Sequence, residues 1–491
     1  MSIWSRKSVA AMRADAFAER PDRMPRSLGP LSLTAFGVGS TIGAGIFVLT
    51  GHVAATQAGP AVTLTFVVAS LVCFLAGLCY AEFAAMVPVA GSAYSYTYAT
   101  LGEIVAWIIG WCISLEYVFS ASLVAISWSG YVTAALADIG MRLPAVLSGA
   151  PLKYDAAGHL SGSGSWIDLP ATAVTLGCTA LLMAGTRQSA WVNNLVVAAK
   201  VTALVIVVVI GAHYISPHNW RPFIPSNTGT FGSFGWSGLA RGSAVVFFSY
   251  VGFDAVSCLA EESKNPQRTM PLALFASLSI CTAVYVAVSL VITGMANYRE
   301  LNVADPLYYA LSSVHGHLVW VKFIVALVAG VGLISVVLLS LLGQVRILYA
   351  MSRDGLVPKV FCRTSGKHRT PYLATLLTGL FGALMAGLLP LDLLADLISI
   401  GTLLAFATVC IGIPILRRVA PEAKRPFRAP WVPVLPVAGA GCCVLLMFSL
   451  PGGTWIRLGL WLVIGLTIYF LYGYRHSRLR SMPVPTRLLS K

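Results

Sequence analysis

Residues 39–47 read GSTIGAGIF inside an apolar stretch that runs from about Leu31 to Val48. Gly39, Ser40, Thr41 and Gly43 are a poor way to build a plain membrane helix and a good way to interrupt one. Where a spanning helix unwinds inside a bilayer, its freed N–H and C=O groups must be satisfied by protein, water or a bound solute. Such gaps form solute sites near the membrane midplane. The alternative reading is that the glycines only let a neighbouring helix pack closely, as small-residue motifs do.

That a bilayer is involved follows from composition. The chain of 491 residues is 57% hydrophobic and 10% charged, with mean hydropathy +0.80. Soluble domains are about a quarter charged. Reading stretches of about twenty apolar residues predicts an all-α polytopic membrane protein with twelve transmembrane helices. They lie near 31–57, 62–87, 102–138, 168–186, 190–211, 236–262, 272–297, 318–350, 372–390, 393–416, 431–450 and 455–474. The first thirty residues are charged and hold no apolar h-region, so no cleaved signal is expected. Residues 8–20 suit a short amphipathic helix on the membrane surface.

The net charge of +15 is a topological signal. With the N-terminus inside, 25 of the 33 Lys and Arg residues fall on the inner side and 7 outside, with Lys200 buried. The positive-inside rule then predicts a multi-pass protein of the cell (inner) membrane with both termini cytoplasmic. No nucleic-acid partner is needed to explain the charge. The ten cysteines show no metal-ligand spacing and read as small buried hydrophobes. Most histidines are peripheral, and His52 reads as interfacial. No metal or cofactor is expected, and without a convergent His/Asp/Glu or Ser/His set an enzyme is disfavoured. A channel would want a symmetric filter or charged ring, and no repeat of that kind is present.

The sixth predicted span repeats the trouble of the first, reading VVFFSYVGFDAVSCLAEE from Val245, with Ser249, Gly252 and Asp254 in its middle. Two interrupted spans five helices apart imply two inverted units and a solute site between them. The expected organisation is a cytoplasmic segment 1–30, a first five-helix repeat 31–211 and a second, inverted repeat 236–416. Two additional helices at 431–474 and a tail 475–491 complete it. The Gly/Ser-rich loop near 139–167 reads as a flexible cap, and 298–317 as a short external helix over the bundle.

Charges at mid-membrane cost about 2.5–3.5 kcal/mol each on insertion scales, so Glu116, Lys200 and Asp254 each need a reason. Functional roles compete with structural ion pairs and, for Lys200, with snorkelling. Glu82, Glu261 and Glu262 lie near helix ends and read as interfacial or gating, and Asn193 and Asn194 as capping or gating. Phe248 is the aromatic best placed to cover a ligand at the second break. A half-helix N-terminus suits a carboxylate, and exposed carbonyls suit an ammonium, so the pair of breaks points to an α-amino acid. Glu116 would hold the ammonium through water or balance Lys200.

The motifs GVGSTIGAGIFVLTG (37–51), PVAGSAYSYTY (88–98), SLEY (114–117), VNNLVVAAK (192–200), FFSYVGFDAVSCLAEESKNPQRTMP (247–271) and GQVRILYAMSRDGLVP (343–358) occur in order. With them the chain resembles the amino acid–polyamine–organocation superfamily, in particular its bacterial cationic amino acid transporters. The resemblance implies a LeuT-like fold, a five-plus-five inverted repeat with two extra helices. It implies a substrate carboxylate on the first break (Thr41, Ile42, Gly43, Ala44, Gly45) and an amine facing carbonyls near Phe248, Ser249 and Val251, with Glu116 and Asp254 close by. A lysine at the position of Lys200 replaces the cation of sodium-coupled relatives, which implies coupling to protons. The expected partners are an amino acid, protons and the lipid bilayer. Cationic or broad-range substrates are the leading expectation, with small neutral amino acids or polyamine exchange as alternatives. The oligomeric state is left open, a monomer being sufficient.

Overall fold

The computed structural model describes residues 3–9, 12, 28–87, 91–154, 160–184, 190–260, 263–303, 305–314, 319–363 and 371–481. Most of the expected amphipathic segment 8–20, together with Glu261 and Glu262, lies outside the described residues. The rest is a helical bundle. Among the described residues, eight helices are long and apolar enough to cross a membrane. Three shorter apolar helices, Leu169–Met183, Tyr372–Leu388 and Val434–Phe448, join them. The first predicted span is split, because α1 (Pro30–Thr41) ends at the glycine-rich break. α2 (45–58), made of π and α turns, carries the chain on. It bends at Gly59, where φ is +61°, into α3 (Val62–Met86).

The helices that position the centre follow. α4 (Ser92–Thr100) leads into α5 (Glu103–Asp138), which at 1.5 Å per residue is about 54 Å long. α6 (Leu169–Met183) begins where the Asp168 carboxylate accepts from Ala171 N at 3.0 Å, the usual satisfaction of an orphan N-terminal donor. α7 (Ala190–Gly211) carries Lys200. α8 (Gly235–Val246) passes through a 3-10 turn, Phe247–Tyr250, to the short α9 (Ala255–Cys258). α10 (Pro266–Met295), with Pro at its first turn, packs on α1 and α3. α11 (Pro306–Ser313) belongs to an irregular strap, 298–313. α12 (Val319–Arg353) packs along α5. α13 (Tyr372–Leu388), α14 (Leu391–Val419), α15 (Val434–Phe448) and α16 (Gly452–Ile468) complete the bundle.

The strap fulfils the expectation of a short helix between the seventh and eighth spans. Within the 139–167 loop the described residues are partly regular. They include a two-stranded antiparallel ladder, β1 (Leu152–Tyr154) with β2 (Leu160–Gly162). The loop's serines supply the missing donors: Ser163 Oγ donates to Ala150 O and Ser165 Oγ to Ala145 O at 2.9 Å.

Outward faces are apolar at helical spacing, as on α13 with exposed Leu377, Leu380, Phe381 and Leu384. Apolar surface this continuous faces lipid rather than water. Cys73, Cys79, Cys112, Cys178, Cys281, Cys410 and Cys443 are free and buried, as small hydrophobes should be. α16 is lashed to α5 by indoles. Trp111 and Trp461 stack at 4.5 Å, and each donates to the other's carbonyl, at 2.9 and 3.2 Å. Trp107 Nε1 donates to Gly465 O at 2.9 Å.

The two ends of the bundle are chemically distinct. At one end Lys7 Nζ meets Asp354 Oδ1 at 2.5 Å and Arg478 N donates to Asp354 O at 3.0 Å. Both terminal segments therefore dock at the α12 exit, beside the start of α5, where Glu103 N donates to Ser5 O at 3.1 Å. The strap is at the opposite end, because Tyr308 OH donates to Asp138 Oδ2 where α5 finishes.

Candidate functional site

The two interruptions meet. Ile42 ends α1 in an extended conformation with ψ 94°, and Gly252 adopts φ +113°, a region that L side chains avoid. A Cβ on Gly252 would also lie 2.8 Å from Ser40 O. Ser40 Oγ donates to Gly252 O at 2.9 Å, so the first break is bonded to the second. Gly45 is pressed on Ser249: a Cβ there would sit 2.5 Å from Ser249 Cα.

Three side chains secure the unwound backbone. Lys200 is fully buried, and its ammonium donates to Gly39 O at 3.0 Å and Ile42 O at 3.2 Å. Gly332 of α12 makes room for its stem, since a Cβ would be 2.7 Å from Lys200 Cε. Snorkelling is thereby excluded, as the amine points into the break. Tyr285 of α10 places its hydroxyl 2.8 Å from both Thr41 O and Ser249 O. One O–H has one hydrogen for two acceptors, so this group ties the breaks while leaving a carbonyl under-satisfied. Asp254 is 3% exposed and accepts from Gly252 N and Ser92 Oγ, each at 3.3 Å. It thus holds the turn of the second break to α4.

A cavity of about 50 Å³ opens at the junction, several times the roughly 10–15 Å³ that one water needs by this measure. Of the residues expected at a site, Thr41, Gly43, Ala44, Gly45, Phe248 and Val251 line it. Ile42 is turned away, its carbonyl on Lys200, and Ser249 is behind Gly45. Phe248 O already accepts from Val251 N at 2.9 Å. Lys200, Glu116 and Asp254 are not in the lining. Glu116, 2% exposed, has an Oε1 without a hydrogen-bond partner and interacts with Thr402 and Asp254 instead. Val124, Val336 and Leu339 supply apolar walls, and Arg346 stands at the terminus-bearing side. Sequence reasoning missed Tyr285 and these walls, because each lies in an unremarkable apolar stretch.

The other polar residues singled out divide clearly. Glu82, fully buried, accepts from Arg417 Nε at 3.1 Å and Nη2 at 2.7 Å, and from Ala429 N at 2.8 Å. It is a structural clamp that joins α3 to the end of α14 and to the segment after it. Asn193 is buried and lies beside Gly39 on α1. His52 is engaged rather than simply interfacial, as described below.

A multi-pass helical bundle with a cavity where two broken helices touch is the architecture of a membrane permease, not of an enzyme. The chain belongs to the amino acid permease family, whose pattern it matches over residues 28–470. It is 42% identical over 480 residues to the methylthioribose transporter of Bacillus subtilis, covering 98% of this chain and 100% of that one. It is also 42% identical over 481 residues to the branched-chain amino acid permease BcaP of the same organism, covering 98% and 99%. Cationic amino acid transporter 4 of Mus musculus is 38% identical over 404 residues, covering 80% of this chain and 60% of that one.

Proposed function

We propose that the chain carries neutral amino acids with apolar side chains across the cell membrane, driven by protons. The fold would be a LeuT-like five-plus-five inverted repeat (31–211 and 236–416) with two further helices at 431–474. That gives twelve crossings and places both termini in the cytoplasm. The observation that carries the substrate reading is the cavity lining. It pairs the backbone of the first break, Gly43 and the start of α2 at Ala44 and Gly45, with the side chains of Val124, Val251, Val336 and Leu339. Among the described residues it includes no carboxylate, while Arg346 is part of it. A cationic side chain would find no counter-charge there, and a polyamine would find little length. The cationic and polyamine alternatives are therefore less well supported than the neutral one.

In this reading the substrate carboxylate sits on the N–H groups after the first break, and its ammonium on carbonyls of the second, near Phe248, Ser249 and Val251. Thr41 flanks the carboxylate and Phe248 covers the solute. Glu116 and Asp254 set the field from behind the lining. Lys200 takes and returns the proton, because losing it would free Gly39 O and Ile42 O and loosen α1.

Uptake into proteoliposomes under an imposed pH gradient tests this, with leucine, alanine, arginine and methylthioribose compared. Accumulation of leucine or alanine that needs an acidic exterior is expected, and Lys200→Met should lose accumulation while keeping exchange. Arginine uptake alone, methylthioribose uptake alone, or full pH dependence in Lys200→Ala would overturn the respective part.

A further inference from the structure

His52 of α2 sits between two oxygens. Its Nδ1 lies 3.0 Å from Asn302 Oδ1 on the strap, and its Nε2 lies 3.4 Å from Asp392 Oδ1 at the start of α14. Nδ1 shares a hydrogen bond with Asn302, and Nε2 faces the Asp392 carboxylate in an ion pair that exists only while the ring is charged. A neutral imidazole carries only one N–H, whereas the imidazolium carries two. The charged groups around it come from every element that meets there. Asp396, one turn along α14, interacts with His52, with Asp392 and with Arg241 of α8. The strap's own Asp305 and Tyr308 are turned to Asp138 and Lys322. The strap is seated directly on α2: a Cβ on Gly51 would lie 2.5 Å from Leu301 O and 2.3 Å from Pro306 Cβ.

We propose that His52 is a proton-binding latch. With a proton on each nitrogen it ties α2, the strap and α14 together and holds that end of the bundle shut. With one proton lost it keeps its bond to Asn302 but loses the ion pair to Asp392, and the strap is freed from α14. Imidazoles change charge between about pH 5 and 8, so the closure would follow pH on the strap side, which the topology above makes external. Only that last clause rests on the transport reading. The latch itself is independent of substrate and of Lys200.

Hydrogen exchange of the strap amides 298–303, in the full-length protein in lipid nanodiscs, tests it without transport. Wild type and His52→Gln are compared at the same pH, which cancels the intrinsic exchange rate. At pH 5.5 the wild-type strap should exchange about threefold more slowly than His52→Gln, the scale of a partly exposed ion pair. At pH 8 the two should coincide. Asp392→Asn should behave as His52→Gln does, and it carries the test if the histidine variant folds poorly. Equal exchange at pH 5.5, or protection that persists unchanged at pH 8, would overturn the proposal.

Discussion

The joint between the two breaks can be probed with a single methyl group. In Gly45→Ala the new carbon would lie 2.3 Å from Ser249 Oγ, 2.4 Å from its Cβ and 2.5 Å from its Cα. Ordinary carbon contacts are about 3.5–4.0 Å. The hydroxyl can rotate away, but Cα belongs to the backbone, so the two breaks must part by about 1 Å. Overpacking of this kind costs about 1–3 kcal/mol, and the helix preference of Ala offsets about 1 kcal/mol of that. A net loss of up to about 2 kcal/mol is expected, together with misaligned cavity walls. Gly43→Ala is the control on the same segment. Its methyl would meet only Val336, at 3.3 Å from Cγ1 and 3.5 Å from Cγ2, and a side chain can give way for less than about 0.5 kcal/mol. It does stand in the cavity. Thermal melting in detergent and uptake kinetics separate the two variants. Gly45→Ala should melt lower and transport with reduced maximal rate, whereas Gly43→Ala should melt like wild type with a raised KM. If Gly45→Ala melts at or above wild type and transports normally, the contact between the breaks is not the tight joint described here.

Three further perturbations follow from the same contacts. Tyr285→Phe removes the one donor shared by Thr41 O and Ser249 O, which should cost about 1–3 kcal/mol and slow transport about tenfold, read by melting and uptake. Arg417→Ala leaves the buried Glu82 carboxylate without its two-pronged cationic partner. A loss of about 3 kcal/mol is expected, the low end for a broken buried pair because Arg425 Nε stands 3.5 Å away, and Glu82→Gln/Arg417→Gln should melt higher than the single variant. Burial pushes the Asp305 carboxyl up to about 6, with the Asp138 charge adding to it. Its raised value means the fold prefers the neutral acid, so this contribution is full below about pH 4 and lost as pH rises through 6. Asp305→Asn should therefore melt higher than wild type at pH 8, by at most about 2–3 kcal/mol, and match it at pH 4. A constant difference across that range would refute the assignment.

What could be read from the chain were the features that violate a local rule. Glycines and serines in an apolar run betray an unwound helix, and a lysine ten residues into a span demands a buried partner. Those violations located both breaks and Lys200 before any contact was known. What stayed hidden were pairings across the sequence. Tyr285 breaks no rule in CTAVYVAVS, and its two carbonyls come from helices 244 and 36 residues away. Glu82 looked like a residue at an interface because its partner, Arg417, is 335 positions distant. Glu116 looked like a ligand for an amine, and only the packing of α5 shows it turned away from the cavity. The boundary between the first two predicted spans was legible, because Gly59 and Pro60 interrupt the apolar run where φ turns positive at Gly59.

The three indoles between α5 and α16 carry a mechanical meaning. Each donor is matched to one carbonyl of the facing helix, and the rings interleave, so a slide of one residue, about 1.5 Å, would break all three bonds together. Such a seam has no intermediate settings: it is fastened or it is undone. α16 therefore serves as a keel. On the transport reading proposed above, the broken helices would move against a hull that does not creep, and the stroke would reach the solute instead of being lost to the lipid.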